Sequence, residues 1–185
     1  MNICEDCPIG LCNTKSKCLQ GYGNPWSGNC IVVNNVDYSA YKKGDMKFSK
    51  QVELINNILL SSTGGLEQSD LSYFIVPLIR CNEYISYPVD KISLSKCIQL
   101  FKEDIIKYKF KNILLLDNAA KRFLNIDSIT PYVDKIIQHN GINYCVNYKI
   151  KTKIAADNLR RWYFAVTNDN FFDYYPGYNS IIFAN

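Results

Sequence analysis

Short apolar runs alternate along this chain with segments of helical period, the pattern of βαβ units that build a parallel sheet. The runs Cys30 to Val33, Tyr73 to Ile79, Asn112 to Leu116 and Ile142 to Asn147 predict four strands. Between them, Val52, Ile55, Ile58 and Leu59 mark one helix. Leu94, Cys97, Ile98, Phe101 and Ile105 recur on one helical face and mark a second, and Ala119, Ala120, Phe123 and Leu124 a third. Gly-, Ser- and Pro-punctuated stretches at 61–69 and 82–90 read as loops. The expected fold is α/β, a three-layer α/β/α arrangement around a central four-stranded parallel sheet.

Composition narrows this to one domain. With 185 residues, 48% apolar and 21% charged, burial is ample for a single core and too little chain remains for two. The expected organisation is one unit over 1–185, with a cysteine-rich arm at 1–28 and an aromatic extension at 162–185 that carries nine aromatic rings. No stretch approaches the ~20 apolar residues of a membrane helix, and the opening residues MNICEDCPIG lack the basic and apolar regions of a signal peptide. A soluble, cytoplasmic monomer is expected. The net charge of +4 permits nucleic-acid binding without requiring it. Eight cysteines without an export signal point to reduced thiols held for a metal rather than to disulfides. Cys4, Cys7, Cys12 and Cys18 crowd the start, Cys81 and Cys97 flank a polar loop, and Cys30 and Cys145 sit in apolar runs as small core residues.

A doubly wound sheet binds its ligand at the carboxyl ends of its strands. The residues there are Asn34-Asn35-Val36-Asp37-Tyr38, Arg80-Cys81-Asn82-Glu83-Tyr84, Asp117-Asn118 and Tyr148-Lys149-Ile150-Lys151. Asp37 is the leading candidate carboxylate; the alternative is a turn or helix-capping aspartate. Lys149, Lys151, Lys153, Arg160 and Arg161 stand against Asp157 alone between 149 and 161. They suit phosphate contacts or, alternatively, form a solvated helix face.

The chain carries Cys4-x-x-Cys7-Pro8-Ile9, Gly21-Tyr22-Gly23-Asn24-Pro25 before the first strand, Arg80-Cys81 after the second, and Cys97 in the next helix, 97 − 81 = 16 positions on. Together these residues resemble the iron–sulfur (family 4) uracil-DNA glycosylases. The run Asn112 to Leu116, followed by Asp117-Asn118-Ala119-Ala120-Lys121-Arg122-Phe123-Leu124, is similar to that family's third strand and helix, and the likeness spans roughly Cys4 to Trp162. It implies a uracil-DNA-glycosylase-like fold, DNA as partner, and a structural [4Fe–4S] cluster on Cys4, Cys7, Cys81 and Cys97. The alternative is a local zinc or cluster site on Cys4, Cys7, Cys12 and Cys18.

The catalytic turns depart from that family. Asn34 to Tyr38 replaces a Gly-Glu-Ala-Pro-Gly turn, Pro77 stands where an asparagine reads uracil, and Tyr148 is followed by Lys149-Ile150-Lys151 instead of His-Pro-Ser. The only histidine, His139, falls in the loop expected before the fourth strand. The resemblance therefore implies a DNA glycosylase acting on a flipped-out modified or other non-uracil base. Asp37 would activate water and stabilise the sugar cation, Asn35 would orient water or base, and Lys149 would stabilise the departing base anion. Asn34, Tyr38, Phe48, Pro77 and Tyr148 are the expected substrate contacts, Tyr38 and Phe48 by stacking, and Lys151, Lys153, Arg160 and Arg161 the expected DNA contacts. The alternative is a catalytically inactive DNA- or protein-binding scaffold of a replication or transcription assembly.

Overall fold

The computed structural model describes residue 7 and residues 18–60, 71–81, 89–168 and 174–175. Its strands are β1 (Tyr22–Gly23), β2 (Asn29–Asn35), β3 (Phe74–Ile79), β4 (Asn112–Leu116), β5 (Ile136–His139) and β6 (Ile142–Asn147). Its α-helices are α1 (Tyr38–Lys43), α2 (Lys50–Leu60), α3 (Lys91–Tyr108), α4 (Asn118–Leu124) and α5 (Lys153–Thr167). The class is α/β, as the periodicity predicts.

The sheet itself differs from the expectation: among the described residues it has six strands and is mixed, in the order β1-β3-β2-β4-β6-β5. β3, β2, β4 and β6 pair in parallel, while β1 runs antiparallel to β3 and β5 antiparallel to β6. β1 is two residues long, too short to show a period. Its glycines permit the pairing: a Cβ on Gly21 would overlap the Phe74 ring and the Ile75 carbonyl, and Gly23 has φ +106. β5 and β6 form a hairpin whose turn, Asn140-Gly141, has φ values of 50 and 74, the doubly positive geometry that Asn-Gly turns favour. His139 is thus a strand residue paired with Ile142, not a loop residue.

Helices cover both faces because the parallel strands are apolar on both. Ile31, Val33, Ile75 and Leu114 pack under α2 and α5 against Val52, Ile55, Leu159 and Trp162. Cys30, Val32, Val76 and Ile113 pack against Phe101 and Ile105 of α3 and Ala119 and Ala120 of α4. Cys30 and Cys145 are buried, and burial holds both thiols well above the ordinary cysteine range, so they serve as core residues.

The expected aromatic extension begins inside α5. Trp162 is fully buried there, and Tyr175 packs into the same core, while Phe171, Phe172, Tyr178 and Phe183 lie outside the described residues. Among the described residues no helix is long and apolar enough to cross a membrane.

At the amino ends of the strands, register stacks amides across the sheet. Gln138 Nε2 donates to Asn143 Oδ1 (2.8 Å), Asn143 Nδ2 to Asn112 Oδ1 (2.9 Å), and Asn112 Nδ2 to Asn29 Oδ1 (2.9 Å). Asn29 Nδ2 closes the chain on the Ser72 carbonyl at 2.9 Å. A one-residue slip would break every link, so the ladder fixes register at this end and leaves the opposite end for a ligand.

Candidate functional site

Chain order fixes where a ligand can enter. From β2 the chain crosses to β3 on one side and later to β4 on the other, so the crevice between β2 and β4 at their carboxyl ends is the topological switch point. A cleft of about 230 Å³ lies there, somewhat below the roughly 300–1,000 Å³ of drug-sized ligand pockets. Asn34 and Asn35 enter it from the end of β2, Leu116, Asp117 and Asn118 from β4, and Lys149, Ile150 and Lys151 from the segment after β6. The first turns of α2 contribute Lys50, Gln51, Leu54 and Ile55. The wall thus combines an apolar floor, amides, three lysines and one carboxylate.

The backbone holds that carboxylate in an unusual place. Asp117 has φ 44 and ψ −113, and its side chain makes no capping bond to α4. Two bonds clamp the strained residue: its N–H donates to the Asn147 carbonyl of β6 at 2.8 Å, and its carbonyl accepts from Lys121 N–H at 3.2 Å. A backbone held this way costs of order 1–3 kcal/mol, and such residues cluster at functional sites. From α4, Arg122 Nη1 donates to Asn34 Oδ1 at 3.1 Å, which leaves the Asn34 amide nitrogen as the group able to donate to a ligand carbonyl. Gln51 Nε2 is engaged with the Asn35 carbonyl at 3.4 Å.

Of the sequence-predicted residues, Asn34, Asn35, Lys149 and Lys151 meet at the cleft. The others do not. Pro77 is buried within β3; β1 pairs only with Phe74 and Ile75, so no ladder bond on that side needs an N–H at position 77. Tyr148 is half-buried and packs toward the α3 and α4 face. Tyr38 and Phe48 are 61% and 45% exposed and outside the cleft wall, with Lys43 and Lys47 Nζ 5.8 and 5.0 Å from the Phe48 ring centre. Lys153 opens α5 on the surface. Arg160 pairs with Asp157 at 2.9 Å and Arg161 with Asp134 at 3.1 Å, which narrows the basic stretch expected to meet phosphate.

Asp37 is the main correction. It caps α1, accepting from Ala40 N–H at 3.0 Å through one oxygen. The other accepts from Ser49 Oγ at 2.6 Å and Lys50 N–H at 2.8 Å. Both oxygens hold α1 to the start of α2, so Asp37 supports the cleft rather than lining it. Asp37→Ala should lower stability by about 1–3 kcal/mol, seen as a Tm decrease of about 2–4 °C per kcal/mol. An unchanged Tm would remove this role.

Sequence reasoning placed Asp117 at a strand end but ranked Asp37 above it, and it passed over Lys50 and Gln51. Asp117 carried a legible signal, its place directly after the third predicted strand. Lys50 and Gln51 carried none, since their place follows from the Asp37 tether.

Of the predicted cluster ligands, Cys4 lies outside the described residues, as does Cys12. Cys7 and Cys97 are 5% and 4% exposed, and Cys81 is half-buried at the end of β3. Leu19 N–H donates to the Arg80 carbonyl at 2.9 Å, which brings Cys18, set aside in the cluster reading from sequence, to the same end of β3 as Cys81. Among the described residues no three His, Cys, Asp or Glu side chains converge as a metal site.

Fold and cleft together define an α/β protein with a cationic, amide-lined crevice at its switch point. The chain matches no known protein-family model and no curated protein.

Proposed function

We propose that this protein is a DNA glycosylase of uracil-DNA-glycosylase-like, three-layer fold, acting as a cytoplasmic monomer on a modified or other non-uracil base. The observation that carries the reading is that Asp117, in a strained backbone conformation, lines a small switch-point cleft together with asparagines and lysines. A flipped nucleotide would place its base over Leu54, Ile55 and Leu116, with the Asn34 amide donating to a base carbonyl. The base leaves with the electron pair of the C1′–N bond, and the oxygen of water bonds to C1′. Asp117 orients that water, takes its proton and offsets the positive charge growing on the sugar. Lys149 offsets the negative charge on the leaving base.

The test is incubation with duplex and single-stranded DNA carrying uracil, and separately with hypermodified phage DNA. Free base and alkali-labile abasic sites are the expected products. Their absence from every substrate would overturn the reading.

A [4Fe–4S] cluster on Cys4, Cys7, Cys81 and Cys97 completes the proposal. An all-thiolate donor set suits iron–sulfur chemistry, and the burial of Cys7 and Cys97 and the Leu19–Arg80 bond favour an arm anchored at the end of β3. The cluster would supply no chemistry, only a cross-link between arm and sheet. Anaerobically purified protein should be brown with broad visible absorbance, and Cys81→Ser should bleach it. Colourless protein with one bound zinc would replace this proposal with the zinc alternative.

A further inference from the structure

The amino end of the sheet, opposite the cleft, carries a surface that the glycosylase reading does not use. Trp26 sits in the short 3-10 turn Pro25–Ser27, capped by Asn24 Oδ1, which accepts from Trp26 N–H at 3.0 Å. It is 68% exposed. The turn is fixed to the start of β4, since the Gly28 carbonyl accepts from Lys111 N–H at 2.7 Å and Asn112 N–H at 3.2 Å. One edge of the indole meets the Tyr108 ring at 5.2 Å and 80°. Tyr108 in turn has Lys107 Nζ 4.8 Å from its centre and Phe110 5.7 Å away.

The neighbouring sequence alternates Lys107-Tyr108-Lys109-Phe110-Lys111, with all three lysines exposed. No acidic residue occurs from 105 to 111 or from 18 to 36. A large aromatic face left in water costs solvation, and here it is held rigidly by capping and ring contacts beside three exposed lysines. Flat aromatic surface together with positive charge complements a chain with stackable rings and a repeating negative charge.

We propose that Trp26 and Lys107, Lys109 and Lys111 form a stacking platform for single-stranded nucleic acid, one base lying on the indole and flanking phosphates meeting the lysines. β2 spans seven residues, which separates the platform from the cleft by about 20 Å. The platform stands independently of the reaction proposed for the cleft, and a protein without glycosylase activity would still show it.

The chain has two tryptophans, Trp26 and Trp162, and Trp162 is fully buried, so quenching of the exposed emission reports on Trp26. Titration of the whole protein with short oligothymidylate should quench that emission. The slope of log K against log salt should lie near −2, about −0.7 for each of three phosphate contacts. Each of Lys107→Ala, Lys109→Ala and Lys111→Ala should flatten the slope by about 0.7. Trp26→Ala, with binding followed by anisotropy of a labelled strand, should weaken affinity roughly 5- to 140-fold. If that variant folds poorly, the lysine variants carry the test alone. An oligouridylate arm tells whether the strand is RNA or DNA, and tight binding of either supports the platform. The proposal is overturned by absence of quenching and binding, by equal quenching with duplex DNA or heparin, or by Trp26 burial through self-association without oligonucleotide.

Discussion

Asp117→Asn is expected to slow base release by roughly 10²–10⁴-fold, the contribution of a positioned general base, while leaving the thermal transition where it is. Asparagine is the informative replacement because it keeps the shape and, like aspartate, tolerates positive φ. The change therefore removes charge and proton affinity without adding strain at φ 44. It also breaks no helix cap, since the Asp117 side chain makes none. Rates of base release and Tm should be measured on the same preparations, with Asp37→Asn as comparator. The two aspartates should separate cleanly: Asp117→Asn loses rate and keeps stability, Asp37→Asn the reverse. Parent-like release from Asp117→Asn would remove the carboxylate from the mechanism.

The contrast between these two aspartates shows what the sequence could and could not carry. The four long strands were legible because they are mostly buried: β2, β3 and β4 carry near-continuous apolar runs, and β6 mixes Ile, Tyr, Cys and Val with asparagines toward its ends. The helices α2, α3 and α4 were legible from spacing alone. The β5–β6 hairpin was signalled by Asn140-Gly141, but the alternation around it is broken by Ile136 and Ile137 in succession, and β1 had no signal at all. The cleft's location followed from topology, and Asn34, Asn35, Lys149 and Lys151 with it. The carboxylate did not. Asp37 and Asp117 both follow predicted strands, and a capping role is a matter of backbone geometry that spacing does not reveal. The distinguishing facts, three bonds accepted by Asp37 and an uncapped, clamped turn at Asp117, depend on elements up to thirty residues away: 147 − 117 = 30 for the Asn147 carbonyl that holds Asp117.

Asp104→Ala should be strongly destabilising. Arg80, the residue before Cys81, is 4% exposed, and its guanidinium pairs through Nη2 with the carboxylate of Asp104 on α3, itself 14% exposed. Among the described residues Arg80 Nε has no hydrogen-bond partner, so within them the pair operates with one donor unmet. Removing Asp104 leaves a positive charge buried and uncompensated, at a cost of roughly 3–5 kcal/mol. At about 2–4 °C per kcal/mol for a chain of this size, the transition should fall by about 6–20 °C. Arg80→Met combined with Asp104→Leu removes both charges at similar volume and should recover most of that loss, because a buried pair is worth little against well-packed apolar groups. The double variant also isolates a second consequence. The Arg80 carbonyl holds Leu19, so the single variant should loosen the arm beside Cys81 and bleach the proposed cluster faster in air, while the double variant retains its colour. Equal losses of Tm in the single and double variants would show that the pair contributes packing rather than charge compensation.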